Sequence, residues 1–245
     1  MLTRNPKHPV TGAIQATISI VIPVLNEGPL IGAFLQQLRA CAPEAEIIVV
    51  DGGSSDGTAE LATGFCDQLI QTRSGRAVQM NAGATAACGE VLWFLHADVE
   101  VPPRCLDEIR QRLADPTIAG GYFRIRLPKS WLVYRLTDEF AHYAGILLRM
   151  RCGDHAFFCR RRDFLALGGF PEVPLMEDVA FFRQLRRRGR ICVIHKRIVA
   201  NDRRYQLIGP ARLTFAYGLI ALLYFFGAPV SLLARIYDRL CCRHG

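Results

Sequence analysis

Three short stretches of this sequence gather residues able to do chemistry. His96-Ala97-Asp98-Val99-Glu100 sets an imidazole and two carboxylates at alternate positions. Alternate residues of an extended chain face the same way, so His96, Asp98 and Glu100 can point at one place. Two carboxylates suit Mg2+ or Mn2+, and the imidazole tilts the choice toward Mn2+; an exposed polar loop is the competing explanation. Asp51-Gly52-Gly53-Ser54-Ser55-Asp56-Gly57-Thr58 offers a carboxylate, Asp51, able to accept hydrogen bonds from a nucleobase or ribose. Its glycines permit close approach or positive φ. A tight turn with Asp56 as helix N-cap accounts for Asp56 and Thr58 but leaves Asp51 over. Met176-Glu177-Asp178-Val179 opens a helix after a proline-containing loop. Acidic residues there often only complement the helix dipole; a general base also suits the place.

Strands and helices must hold these stretches together. Thr17 to Leu25 is a nearly continuous β-branched apolar run, as a buried parallel strand requires. A helix from about Pro29 to Ala40 follows, then a strand at Ala45–Val50 ending at Asp51, and a helix from Asp56 to about Phe65. Asp67–Gln71 reads as a third strand, Arg76–Ala87 as a third helix, and Glu90–Leu95 as a fourth strand ending at His96. This alternation predicts an α/β fold with a mainly parallel sheet. Ligands of such sheets sit beyond the strands' carboxyl ends, where Asn26, Asp51 and His96 all fall. Further on, the pattern predicts a helix at Pro102–Ala114, a strand at Ala119–Leu127, a helix at Trp131–Leu148 and a strand at Ala156–Arg160. A loop at Leu167–Pro171, a helix at Glu177–Arg188 and a strand at Ile191–His195 complete it.

The composition, 51% hydrophobic and 21% charged, supplies a core and argues against disorder. The net charge of +8 is concentrated: ten Lys or Arg stand between Arg183 and Arg212 against one acidic residue, Asp202. Such a stretch suits phosphate groups or an acidic membrane surface, or is a solvated basic face; no nucleic-acid partner is expected. Nine scattered cysteines without a CxxC pair fit a reducing, cytoplasmic compartment better than a disulfide framework. Residues 1–16 read as a flexible lead-in, 17–206 as the main domain and 207–245 as an apolar helical tail. The uncharged run between Arg212 and Arg235 is long enough to span a bilayer, but Gly227-Ala228-Pro229 splits it. The expectation is a helix pair on a membrane surface through 211–240, on the inner face of the cytoplasmic membrane. Packing on the domain, packing on a second subunit, and insertion are the alternatives.

The ordered set SIVIPVLNE, VVDGGSSDGT, GRAVQMNAGATAACGEVLWFLHADVEVP, the GGF loop and the ED pair resembles the family-2 inverting glycosyltransferases of the GT-A fold, across about residues 17 to 206. GRAVQMNAGA, FLHAD, LGGFP and PLMEDV are similar, more narrowly, to the arsenosugar-biosynthesis-type or radical-SAM/selenodomain-associated transferases. The resemblance implies that Pro23, Asn26, Glu27, Asp51 and Gly53 line a nucleotide pocket, with Asp98 at its metal. It implies Arg76, Arg203 and Arg204 near the diphosphate, and Asp178 as general base with Glu177 as its substitute. Gly153, Asp154, Gly168, Gly169 and Phe170 would border sugar and acceptor. Asp98 matches the last residue of the family's DxD metal motif and Glu100 is a further candidate ligand, whereas His96 stands where the broad family has its first Asp. The implied partners are a UDP- or GDP-linked sugar, Mn2+ or Mg2+, and an acceptor no motif identifies.

Two rivals fit parts of the same pattern. A nucleotidyltransferase would carry a glycine-rich basic loop after the first strand, where this chain has VLNEGP. A membrane-associated scaffold that binds sugar nucleotides without turnover would account for His96 and the apolar tail.

Overall fold

The computed structural model describes residues 16–128 and 156–241. Its first half is β1 (Ile18–Val24), α1 (Gly28–Cys41), β2 (Glu46–Asp51), α2 (Thr58–Thr63), β3 (Gln68–Gln71), α3 (Arg76–Ala86) and β4 (Val91–Phe94). These strands run parallel in the order β3-β2-β1-β4. β1 lies between two helical layers, which is why its sequence is apolar at nearly every position. Ile18, Ile20, Ile22 and Val24 pack with Ile31, Phe34, Leu35 and Leu38 of α1 on one face. Val21 meets Ala77, Met80 and Ala84 of α3 on the other. Full burial of each large aliphatic side chain here is worth roughly 1.5–3 kcal/mol.

α3 lies flush on the sheet because Gly83 has no side chain. A Cβ there would come within 3.0 Å of Val50 and closer still to Val21.

Beyond β4 the sheet becomes mixed. β5 (Val99–Glu100) and α4 (Cys105–Leu113) precede β6 (Ile118–Arg126); β7 (Phe158–Arg160), α5 (Arg161–Ala166), α6 (Glu177–Leu185) and β8 (Arg190–Ala200) follow. The eight described strands run β3-β2-β1-β4-β7-β6-β8-β5, with β7 antiparallel to both neighbours, β8 parallel to β6, and β5 antiparallel to β8. Phe94, Phe164, Phe170 and Phe181 form an aromatic core beneath α6, with ring centroids 4.9–5.3 Å apart in the closest pairs.

The chain closes with α7 (Arg203–Ile208), α8 (Pro210–Phe225) and α9 (Val230–Cys241). The break between α8 and α9 falls at the Gly-Ala-Pro expected to split the run. The α8–α9 hairpin packs Ile220 and Leu233 on Met176 and Val179, on either side of the Glu177–Asp178 pair. Among the described residues no helix is long and apolar enough to cross a membrane.

Several local expectations need correction. Helix α2 begins at Thr58 behind Gly57, whose φ of 83° ends the turn, and Asp56 accepts from the backbone N–H of Thr58 and of Gly28 instead of occupying the N-cap. β8 runs on through Lys196 and Arg197 to Ala200 because β6 and β5 both pair with its second half. β5 and α5 have no counterpart in the sequence reading. The helix expected at Trp131–Leu148 lies outside the described residues. Cys41, Cys66, Cys88, Cys105, Cys159 and Cys192 carry free thiols, and burial pushes the Cys105 thiol up to about 12.

Candidate active site

The carboxyl ends of β1, β2 and β4 meet at one edge, and Val24 pairs with Asp51 in register. Pro23 lies half-buried in β1 opposite Val50. Asn26 then turns the chain with a φ of 55°, a left-handed conformation that Asn tolerates better than most residues. Its Oδ1 accepts from the Ser55 N–H at 3.0 Å, and its own N–H donates to Ser54 Oγ at 2.9 Å. Glu27 N–H donates to Thr58 Oγ1 at 2.9 Å. The two loops are thereby laced together.

Asp51 is buried and accepts from the Ser54 backbone N–H at 3.1 Å and from the Ser54 hydroxyl. A carboxylate has about four acceptor positions, so capacity is left for a ligand. Gly53 supplies the positive φ, 93°, that this turn needs. Behind it stands a residue that the sequence reading missed. Buried Gln79 donates through Nε2 to the carbonyls of Val24 at 2.8 Å and Val50 at 2.9 Å, fixing the ends of β1 and β2 to α3. A lone Gln among small and apolar residues, one turn after Arg76, was the available signal.

Arg76 opens α3 and joins three distant segments. Its guanidinium NH2 lies 3.3 Å from His96 Nε2, beyond β4, and its Nε lies 3.3 Å from Glu177 Oε1, at the start of α6. Arg has only donors, so the first contact requires His96 Nε2 to be unprotonated. The second is close enough for an ion pair yet too poorly aligned for a hydrogen bond, and buried Oε1 has no hydrogen-bond donor. We read the contact as electrostatic. Asp178, its neighbour, is half-buried and accepts from the Val179 N–H at 2.6 Å.

Arg203 and Arg204 diverge. Arg203 donates to both carboxylate oxygens of Glu27, at 3.0 and 3.2 Å, and so stands at the ligand edge. Arg204 turns away and lies over the Tyr237 ring, 5.6 Å from its centroid. Gly168 and Gly169 form a left-handed turn with φ of 79° and 74°. Asn81 ties that turn to α3, donating to the Phe170 carbonyl at 2.8 Å and accepting its N–H at 2.9 Å. The Phe170 ring, part of the loop expected beside sugar and acceptor, is itself buried in the aromatic core. Gly153 and Asp154 lie outside the described residues.

For a metal, a turn at Ala97–Asp98 interrupts the extended chain expected there, and His96 faces Arg76 instead of sharing one place with Asp98 and Glu100. Asp98 and Glu100 line a cleft of about 310 Å³ with Asn201 and Asp202. Among the described residues, however, no three His, Cys, Asp or Glu converge as a closed ligand set. Mg2+ and Mn2+ sites that also hold phosphates use one or two protein carboxylates and take the remaining oxygens from substrate and water. An open set centred on Asp98 fits that description; His96 Nε2, turned to a guanidinium, fits it poorly.

Residues 19–165 match the family model described as Glycosyl transferase family 2. The undecaprenyl-phosphate 4-deoxy-4-formamido-L-arabinose transferase of Serratia proteamaculans (strain 568) is 29% identical over 126 residues, 46% of this chain and 39% of that protein. The chain thus spans well under half the length of this curated relative. A mannosyltransferase of Pyrobaculum calidifontis, solved in complex with GDP-Man and Mn2+, superposes with a TM-score of 0.67 at 20% identity, covering 92% of this chain and 71% of that one. Glucosyl-3-phosphoglycerate synthase of Mycobacterium tuberculosis, solved with Mn2+, UDP and phosphoglyceric acid, gives 0.62 at 18% identity, covering 87% and 80%. These likenesses establish an α/β fold of the GT-A kind. The match reaches the broad family and says nothing of the narrower arsenosugar-type subgroup.

Proposed function

Because the chain belongs to glycosyl transferase family 2, and is therefore a glycosyltransferase, we propose that it works from a nucleotide sugar as an inverting, metal-assisted enzyme whose general base is Asp178. The observation that carries this reading is Arg76, whose guanidinium joins the end of β4 to the Glu177–Asp178 helix start within 3.3 Å on each side. Phosphate-binding charge and candidate base thus share one edge.

Asn26, Glu27, Asp51 and Gly53 form the nucleotide end of the site. Asp98, with Glu100, would hold Mn2+ or Mg2+, which neutralises charge on the diphosphate when bound. Arg76 and Arg203 add cationic hydrogen-bond donors for the same leaving group. Asp178 takes the proton from the acceptor hydroxyl as its oxygen bonds to the anomeric carbon and the bond to the diphosphate breaks. A single displacement of this kind inverts the anomeric configuration. Glu177, buried against Arg76, orients that guanidinium and is not a second base. The UDP- and GDP-bound neighbours make those two bases the first donors to test.

The test pairs binding with turnover. Thermal shift against UDP, GDP and their sugars with Mn2+, Mg2+ or EDTA should find metal-dependent stabilisation by one nucleotide. Asp178→Asn should keep that shift and lose nucleoside diphosphate release by about 10²–10⁴-fold. Undiminished release would remove Asp178 from this role.

A further inference from the structure

α8 has two apolar faces. One is covered, with Leu213, Ala216 and Ile220 buried against α9 and α6. The other is bare: Phe215 is 65% exposed, Leu222 47%, Phe225 51% and Phe226 76%. Their spacing follows helical periodicity, so they form one stripe leading to the hairpin tip, where the rings of Phe225 and Phe226 meet edge to face at 5.5 Å. Scattered exposed apolar residues are ordinary, but a continuous stripe of large ones ending in two phenylalanines is not. The helix has 16 residues, about 24 Å of rise, against a hydrocarbon core of about 30 Å. It is too short to span.

Basic residues share the hairpin with this stripe. Helices α8 and α9 carry Arg212, Arg235 and Arg239 against one acidic residue, Asp238. Arg235 and Arg239 are exposed on α9, and Arg212 reaches the Arg239 carbonyl at the opposite end of the hairpin from the phenylalanines. Arg183 of α6 lies over Tyr224, near the tip. An apolar stripe on a hairpin that also carries exposed arginines matches a bilayer interface, where apolar side chains enter the acyl boundary and cations meet anionic headgroups.

We propose that the outer face of α8, with the Phe225–Phe226 tip and the arginines of α9, docks the enzyme on an anionic lipid bilayer without crossing it. Docking needs nothing from the sugar-transfer reading, so it stands or falls separately.

The full chain is sedimented with vesicles of phosphatidylcholine, alone or mixed with phosphatidylglycerol, and its oligomeric state is measured across protein concentration. The expected result is binding to the mixed vesicles that weakens with salt. Phe225→Ser with Phe226→Ser should lower it about tenfold or more at unchanged melting temperature. Arg235→Gln with Arg239→Gln should remove the preference for anionic vesicles. A chain that stays in the supernatant with both vesicle types overturns the proposal. So does a concentration-dependent dimer dispersed by the phenylalanine substitutions, which assigns the stripe to a second copy.

Discussion

Glu177 and Asp178 are neighbours in sequence held in different surroundings, and that difference is the ground for proposing different tasks for them. Glu177 is buried against Arg76; Asp178 is half-buried at the helix start. Glu177→Gln removes the charge opposite the guanidinium while keeping the volume, so donor KM should rise by about tenfold, the worth of one charge-assisted contact, while kcat falls less. Steady-state kinetics on both parameters check this, and a collapse of kcat with unchanged KM would return Glu177 to the role of base. Asp56 predicts a pH effect. The Thr58 hydroxyl, above all, holds its carboxyl below the ordinary 3.8, with the Gly28 and Thr58 N–H groups helping against slight burial. A lowered folded-state value stabilises the fold above the unfolded value and loses that contribution as pH falls through the folded one. The melting-temperature gap between wild type and Asp56→Asn should therefore be full above about pH 4 and close on further acidification. At this scale the candidate site was only half legible beforehand. Asp51, Asp98 and Asp178 stand out as candidates because they fall at element ends, whereas Gln79 and Asn81 act through backbone carbonyls and loops far off in sequence.

Elements were easier to read where burial is two-sided. β1 and β2 are apolar at almost every position because helices cover both sheet faces, and their sequences show it. β8 mixes exposed, half-buried and buried positions without a regular period and draws its pairing from distant β6 and two-residue β5, so no local pattern marks its end. The decisive element for the site is α3. Arg76, Gln79 and Asn81 reach the candidate diphosphate region, the strand ends and the glycine turn respectively. Asn81→Ala would strip two hydrogen bonds from that turn and leave buried backbone groups without partners, at about 1–3 kcal/mol. Chemical denaturation measures it, and a change below experimental error would mean the turn is held from elsewhere. Gly83→Ala should cost about 1–3 kcal/mol by lifting α3 from Val21 and Val50. Donor affinity should fall with it, although no ligand-facing side chain changes. Intact affinity in a destabilised variant would uncouple α3 from the site.

At the scale of the whole molecule, the α8–α9 hairpin belongs to the packing of the sheet domain as much as to a tail. Removing residues 211–245 would take Ile220 and Leu233 from Met176 and Val179. We therefore expect this truncation to lower the melting temperature as well as any vesicle binding, unlike the surface phenylalanine substitutions; differential scanning calorimetry separates the two effects. The same contact bears on timing. A growing chain that has reached Arg204 already holds every candidate site residue, but the wall behind Asp178 is made of residues translated afterwards. Until α8 and α9 have emerged and folded back, Met176 and Val179, on either side of the Glu177–Asp178 pair, lack the apolar cover of Ile220 and Leu233. Activity should thus wait for the hairpin to emerge, and then arrive all at once.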